Sequence, residues 1–238
     1  MTVLSIDLGN TRAKLGVYKD GSLIQTRILS SLQLNSLKKD YPNSKVAVSN
    51  VSKKEHIHLL KKNFRDDFFE LTYSVRLPFE MCYDTPDTLG KDRISNAAAL
   101  VDFSIDKPKL CIDIGTCIKF DFVDQNNRYF GGSISPGLRL RLAALNQKTE
   151  NLPNLDFKVP SNFIGANTNQ SILSGVYFGM LNEIEGMIDM YLGKYPEMNI
   201  IITGGDAIHF DFNQKYSIFA DENFTLKGIY QIYLLNEK

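Results

Sequence analysis

A short unit occurs twice in this chain, and that repeat narrows the possible folds more than any other feature. Each copy is an apolar run ending in Asp-x-Gly, followed by residues that alternate between apolar and polar. Ile-Asp-Leu-Gly-Asn-Thr-Arg-Ala-Lys at 6–14 aligns, with one gap, on Ile-Asp-Ile-Gly-Thr-Cys-Ile-Lys at 112–119. Alternation is the signature of a strand, and the polar Gly-containing stretch is that of a turn. A repeated strand–turn–strand unit implies two lobes of like topology facing each other across a cleft.

The intervening sequence supports an α/β fold. Strands are expected at 3–6, 12–18 and 22–27, with turns at 7–10 and 19–21. A helix at 32–39, a strand at 45–49, a helix at 53–64 and a strand at 68–72 follow. Apolar residues at 94, 97, 98, 100 and 101 mark a helix over 91–103 that closes the first half. The second half reopens with a strand at 110–112, a turn at 113–116 and strands at 117–123 and 129–135. Helices are expected at 138–145 and 171–192, and a strand at 199–203. Residues 104–109 form the expected boundary, giving lobes 1–104 and 105–238.

Composition excludes several classes of function. The 27 basic and 27 acidic residues cancel, so no global field favours nucleic acid or an anionic membrane. No run approaches the roughly 18 apolar residues of a membrane span. Cys82, Cys111 and Cys117 are odd in number and lack metal-ligand spacing, which points to reduced thiols and a cytoplasmic location. His56, His58 and His209 have no ligand-like neighbours in sequence and read as surface residues.

The chemistry is concentrated in the turns. Asp7 offers a carboxylate to a hydrated magnesium ion, Gly9 permits close backbone approach, Thr11 offers a hydroxyl and Lys14 a positive charge. One such turn reads as an ordinary hairpin, whereas two facing turns can clasp a polyphosphate from both sides. Gly204-Gly205-Asp206 would let backbone pass close to an adenine or ribose, and Gly131–Gly137 reads as a second flexible, donor-rich loop. Asp92, in Leu89-Gly90-Lys91-Asp92-Arg93, reads on spacing alone as a helix N-cap. Its functional reading is a base that orients an acceptor hydroxyl, with Arg93 holding an anionic group.

These motifs, with Gly165-Ala166-Asn167-Thr168 and Ser174-Gly175, together resemble the type III pantothenate kinases of the acetate and sugar kinase, heat-shock protein 70 and actin superfamily. The resemblance covers nearly the whole chain and implies two ribonuclease-H-like (actin-like ATPase) lobes around an ATP cleft. It implies that Asp7, Leu8, Gly9, Asn10, Thr11, Arg12, Ala13, Lys14 and Thr116 contact ATP. It also implies that Asp92 faces the pantothenate hydroxyl, and that Tyr83, Gly90, Lys91, Asp92, Arg93 and Thr168 line the pantothenate site. Arg93 would meet the pantothenate carboxylate. Asp113 would bind a monovalent cation, potassium or ammonium, and the family implies a homodimer that encloses pantothenate between subunits.

One departure from the family pattern stands out. The family usually shows Asp-x-Gly-Thr-Ala with a Thr two residues further on, and here Cys117 and Lys119 take those places. Strand alternation puts Lys119 on the face of Asp113, where its ammonium could stand in for the cation. The plainer expectation is a lysine directed to solvent. Two other readings share these motifs: a sister kinase acting on another hydroxy acid or sugar, and a non-catalytic nucleotide-binding module.

Overall fold

The two Asp-x-Gly units each become the centre of a sheet, and the sheets share one strand order. The structure is a computed structural model and describes residues 1–9, 12–51, 54–103, 106–212 and 215–237. In chain order the elements are β1 (Thr2–Leu8), β2 (Ala13–Lys19), β3 (Ser22–Leu29), α1 (Ser31–Asp40), β4 (Ser44–Asn50), α2 (Lys54–Phe64), β5 (Phe68–Glu70) and β6 (Glu80–Met81). They continue with α3 (Lys91–Phe103), β7 (Lys109–Ile114), β8 (Cys117–Val123), β9 (Arg128–Pro136), α4 (Leu138–Gln147), α5 (Thr168–Lys194), β10 (Asn199–Thr203), β11 (Ile218–Ala220) and α6 (Phe224–Asn236).

The first sheet runs β3-β2-β1-β4-β5 and the second β11-β10-β7-β8-β9-β6. In the first, β1–β2 and β2–β3 are antiparallel, and β1–β4 and β4–β5 are parallel. In the second, β7–β8 and β8–β9 are antiparallel, and β7–β10 and β10–β11 are parallel. The second sheet therefore repeats the first and adds β6 beside β9. This is the duplicated arrangement expected of two ribonuclease-H-like lobes.

The period of two along the central strands sorts the side chains into layers. Leu4, Ile6 and Leu8 of β1 and Leu15 and Val17 of β2 pack under α1 and α2. Leu110, Ile112 and Ile114 of β7 and Ile118, Phe120 and Phe122 of β8 pack under α4 and α5. Residues of opposite parity (Val3, Tyr18, Cys111 and Val123 among them) meet a shared middle layer with α3 and α6. Asp7, Lys14, Asp113, Lys119 and Asp121 have that parity, so the alternation that builds the outer cores also turns these charges toward the middle.

Two features differ from the sequence reading, and a third decides between two readings of one segment. Both Asp residues lie within strands, not in the turns that follow. Residues 131–136 are strand, in line with the strand expected at 129–135 and not the flexible loop also read there; Gly131 and Gly132 adopt φ of 91° and 149°, which glycine accommodates without a Cβ clash. A Cβ at Gly131 would lie 2.7 Å from the Tyr83 ring, and one at Gly132 would lie 1.9 Å from Phe120 O. Finally, α6 was not anticipated. It returns from the second sheet to pack on α3 and β1, where Ser5 Oγ donates to Leu226 O at 2.8 Å and Tyr18 stacks on Tyr230. The expected boundary at 104–105 falls outside the described residues.

Candidate active site

The open end of the middle layer is a cleft of about 1280 Å³. Asp7 stands near the end of β1, opposite Lys14 of β2 and beside Ser49 of β4. Asp113 stands near the end of β7, opposite Lys119 of β8 and beside Thr203 of β10. The two sheets thus carry the same trio in register: a carboxylate, a cross-strand lysine and a hydroxyl on the parallel neighbour, of which Ser49 is buried and the others line the cleft.

The lysines behave differently. Lys14 Nζ donates to Glu222 O at 2.5 Å, beside the cleft. Lys119 Nζ lies 2.5 Å from Asp92 Oδ2 and 2.7 Å from Asp113 Oδ2, with only 16% of its side chain exposed. The expectation of a solvent-directed lysine is therefore incorrect. Burial opposes the ammonium charge, but Asp113 and then Asp92 outweigh it, and the net shift of its pKa is upward.

Asp92 is the second residue of α3, not the residue before it. Gly90 O accepts from Ile94 N at 3.1 Å, which places Gly90 at the helix start and corrects the N-cap reading. Asp92 Oδ1 accepts from Arg93 N at 2.9 Å, leaving Oδ2 to Lys119. Gly90 is required by this arrangement, because a Cβ there would lie 2.5 Å from Asp92 Oδ1. Since α3 packs on β4 of one sheet and on β7 and β8 of the other, the Asp92 carboxylate is carried by the element both sheets share.

Arg93 has partners that the sequence did not announce. Its Nε donates to Asp121 Oδ1 at 2.7 Å and its Nη2 to Phe120 O at 3.2 Å, with 5% of the side chain exposed. Tyr129 Oη also donates to Asp121, at 2.8 Å. Arg93 borders the cleft and is ion-paired there with a buried aspartate. Asp121 was not singled out from sequence, although its two-residue spacing from Lys119 puts it on the same face. Burial raises its pKa, and Arg93 and Tyr129 partly offset that rise.

Of the other expected contacts, Asp7, Gly9, Arg12, Lys14, Tyr83, Gly90 and Thr116 line the cleft. Leu8 is buried in the outer core, Ala13 packs against that core, and Lys91 and Thr168 are not among the lining residues. Asn10 and Thr11 lie outside the described residues. The Gly204–Asp206 turn lies against the second Asp turn: Gly204 has φ +100°, a Cβ there would be 2.6 Å from Asp113 Oδ1, and Asp206 N donates to Ile114 O at 2.9 Å.

The model of the type III pantothenate kinases matches residues 3–190 of this chain. The chain belongs to the type III pantothenate kinase family. A relative of that name from Flavobacterium johnsoniae is 38% identical over 97% of each chain. Another, from Flavobacterium psychrophilum, is 39% identical over 97% of this chain and 98% of its own. Among solved structures, a Campylobacter jejuni protein described as of the Baf transcriptional activator family has a TM-score of 0.64 at 21% identity, covering 99% of this chain and 98% of its own. A ROK hexokinase from Thermus thermophilus has a TM-score of 0.51 at 12% identity over 100% of both chains. At these identities the structural likenesses establish the fold alone, and that fold is the two-lobed one described above.

Two ions come with the family resemblance, and the residues fit them unequally. Asp7 Oδ1 is buried with no hydrogen-bond partner among the described residues, which suits a cation delivered with a nucleotide. Burial, then Asp92 and Asp113, push the Asp7 pKa up to about 7 against the opposing pull of Lys119. An arriving cation would relieve that penalty. Asp113, by contrast, is already paired with an ammonium. Among the described residues no group of three or more His, Cys, Asp or Glu side chains is arranged to hold a metal ion.

Proposed function

We propose that this protein transfers the γ-phosphoryl group of ATP to the primary hydroxyl of pantothenate, forming 4′-phosphopantothenate in the first step toward coenzyme A. The observation that carries this reading is the Asp92 carboxylate, held at the start of the shared helix between two matched Asp turns. In this reading the Gly9 and Gly115 turns receive the phosphates from opposite sides, with Lys14, Arg12 and Thr116 beside them. Asp7 would hold magnesium, which supplies charge neutralisation at the phosphates.

Phosphoryl transfer passes through a loose transition state, so positioning and electrostatics supply most of the acceleration. Asp92 shares Lys119 with Asp113, and an ion-paired carboxylate holds a hydroxyl hydrogen without removing it early. The hydroxyl oxygen attacks the γ-phosphorus, its proton passes to Asp92 Oδ2 as the bond forms, and ADP leaves. Tyr83 and Gly90 border the acceptor side. Arg93 anchors α3 through Asp121 and thereby positions Asp92.

A homodimer completes the proposal. Thr168 begins α5 on the exposed surface, away from the lining of its own cleft, and Phe163 and Ile164 are exposed close by. Along α5, Gly175, Gly179, Gly186 and Gly193 leave open space where a second helix could approach. Thr168 would then serve the neighbouring subunit's pantothenate. A cytoplasmic location suits these substrates, and among the described residues no helix is long and apolar enough to cross a membrane.

The test is product analysis by mass spectrometry after incubating the purified protein with ATP, magnesium and single acceptors. Phosphorylated pantothenate is the expected product, with other hydroxy acids and sugars far less reactive. Preferential phosphorylation of a sugar would replace this reading with that of a sister kinase. ATP binding without transfer to any acceptor would favour the non-catalytic module.

A further inference from the structure

Lys119 occupies the place where the family resemblance implies a loosely held ion. Its Nζ sits 2.7 Å from Asp113 Oδ2 and 2.5 Å from Asp92 Oδ2, and neither carboxylate is more than 15% exposed. Asp7, the third carboxylate of the cluster, lies within the electrostatic reach of all three groups. A monovalent cation at Asp113 would need that carboxylate's oxygens and a surrounding free of positive charge. Here the oxygen facing the cluster already receives a hydrogen bond from a unit positive charge, and a second cation beside it would be repelled in a poorly solvated site.

The lysine head group is itself an ammonium, so the chemistry matches one of the two ions it would replace. Because it is tethered to β8, it reaches the site without the loss of translational freedom that a free ion incurs. Its position is set by the Asp113–Lys119 cross-strand pairing, which matches Asp7–Lys14 in the first sheet. Lys14 instead directs its ammonium to Glu222 O. The duplicated lysines have therefore diverged in use.

We infer that the Lys119 ammonium is the resident monovalent cation of the second turn, and that phosphoryl transfer here requires no potassium or ammonium ion from solution. This rests on the kinase reading above. Lys119 also acts as a positioning residue, fixing Asp92 relative to the second sheet.

The experiment titrates potassium against wild type and Lys119→Thr in a buffer whose only other cations are magnesium and a bulky quaternary ammonium. Two readouts are taken: pantothenate phosphorylation, and calorimetric affinity for magnesium with a non-hydrolysable ATP analogue. Wild type is expected to change by less than about twofold in both. Lys119→Thr is expected to lose roughly 100-fold in kcat/KM without potassium and to recover part of it with potassium or ammonium. Wild-type rate or nucleotide affinity that rises steeply with potassium would overturn the inference. If Lys119→Thr fails to fold, the wild-type titration decides alone. If pantothenate is not a substrate, the affinity readout still decides for or against the fixed cation, separately from the kinase reading.

Discussion

Asp7 and Asp92 show how far the surroundings of one carboxylate can differ from those of another a few residues away in space. Asp92 is compensated by Lys119, whereas Asp7 has one oxygen enclosed and no hydrogen-bond partner on it among the described residues. The Asp7 pKa, raised to about 7, lies above its unfolded value of 3.8. Its contribution to stability is therefore fully present below about pH 3.8 and is lost as pH rises through about 7. Asp7→Asn removes this dependence. Without ligands, the variant is expected to melt several degrees above wild type at pH 8, with the gap closing toward pH 5, as read by thermal denaturation across that range. A constant gap would mean that Asp7 does not carry the buried charge assigned to it. At the same scale, Arg93 shows what a motif leaves out: only the fold reveals the buried Asp121 with which it pairs.

The elements nearest the chemistry depend on close helix packing. Small residues Ala97, Ala98 and Ala99 on α3 let α6 approach, and a Cβ at Gly228 would lie 1.7 Å from Ser95 O. Thr225 Oγ1 also donates to Asn96 Oδ1 at 2.8 Å across that contact. Gly228→Ala is expected to destabilise the protein by about 1–3 kcal/mol, measured as a lower denaturant midpoint, and to reduce activity because α3 carries Asp92. An unchanged midpoint would show that the two helices separate at little cost. The central strands were legible in sequence because each has one apolar face, and their period of two also placed the Asp and Lys residues correctly relative to one another. By contrast, α6 gave no such signal. Phe224, Leu226, Ile229, Tyr230, Ile232 and Tyr233 are buried on several sides, so the segment has no clear polar stripe. The strand at 129–135 was legible too, but its glycines also read as a loop, because the Tyr83 and Phe120 groups they make room for are distant in sequence.

For the whole molecule, the ordering is helices, sheet, helices, sheet, helices, with the cleft opening from the middle layer. The duplicated unit foretold two sheets, and their identical strand order bears that out. It could not foretell that the last helix recrosses to the first sheet, tying the end of the chain to the element that carries Asp92. For Lys119 the sequence offered both a solvent-directed lysine and one on the face of Asp113; the second is the one seen, and its further partner Asp92 comes from a separate element. The repeat with which the sequence opens thus becomes two unlike halves. Asp7 keeps a buried oxygen without a hydrogen-bond partner among the described residues, and Asp113 is ion-paired with Lys119. The most direct measurement compares wild type with Asp92→Asn for ATP-dependent phosphorylation of pantothenate under saturating substrates. The account expects a loss of kcat of roughly 100-fold or more, with nucleotide affinity little changed. Retention of most of the wild-type turnover would contradict it.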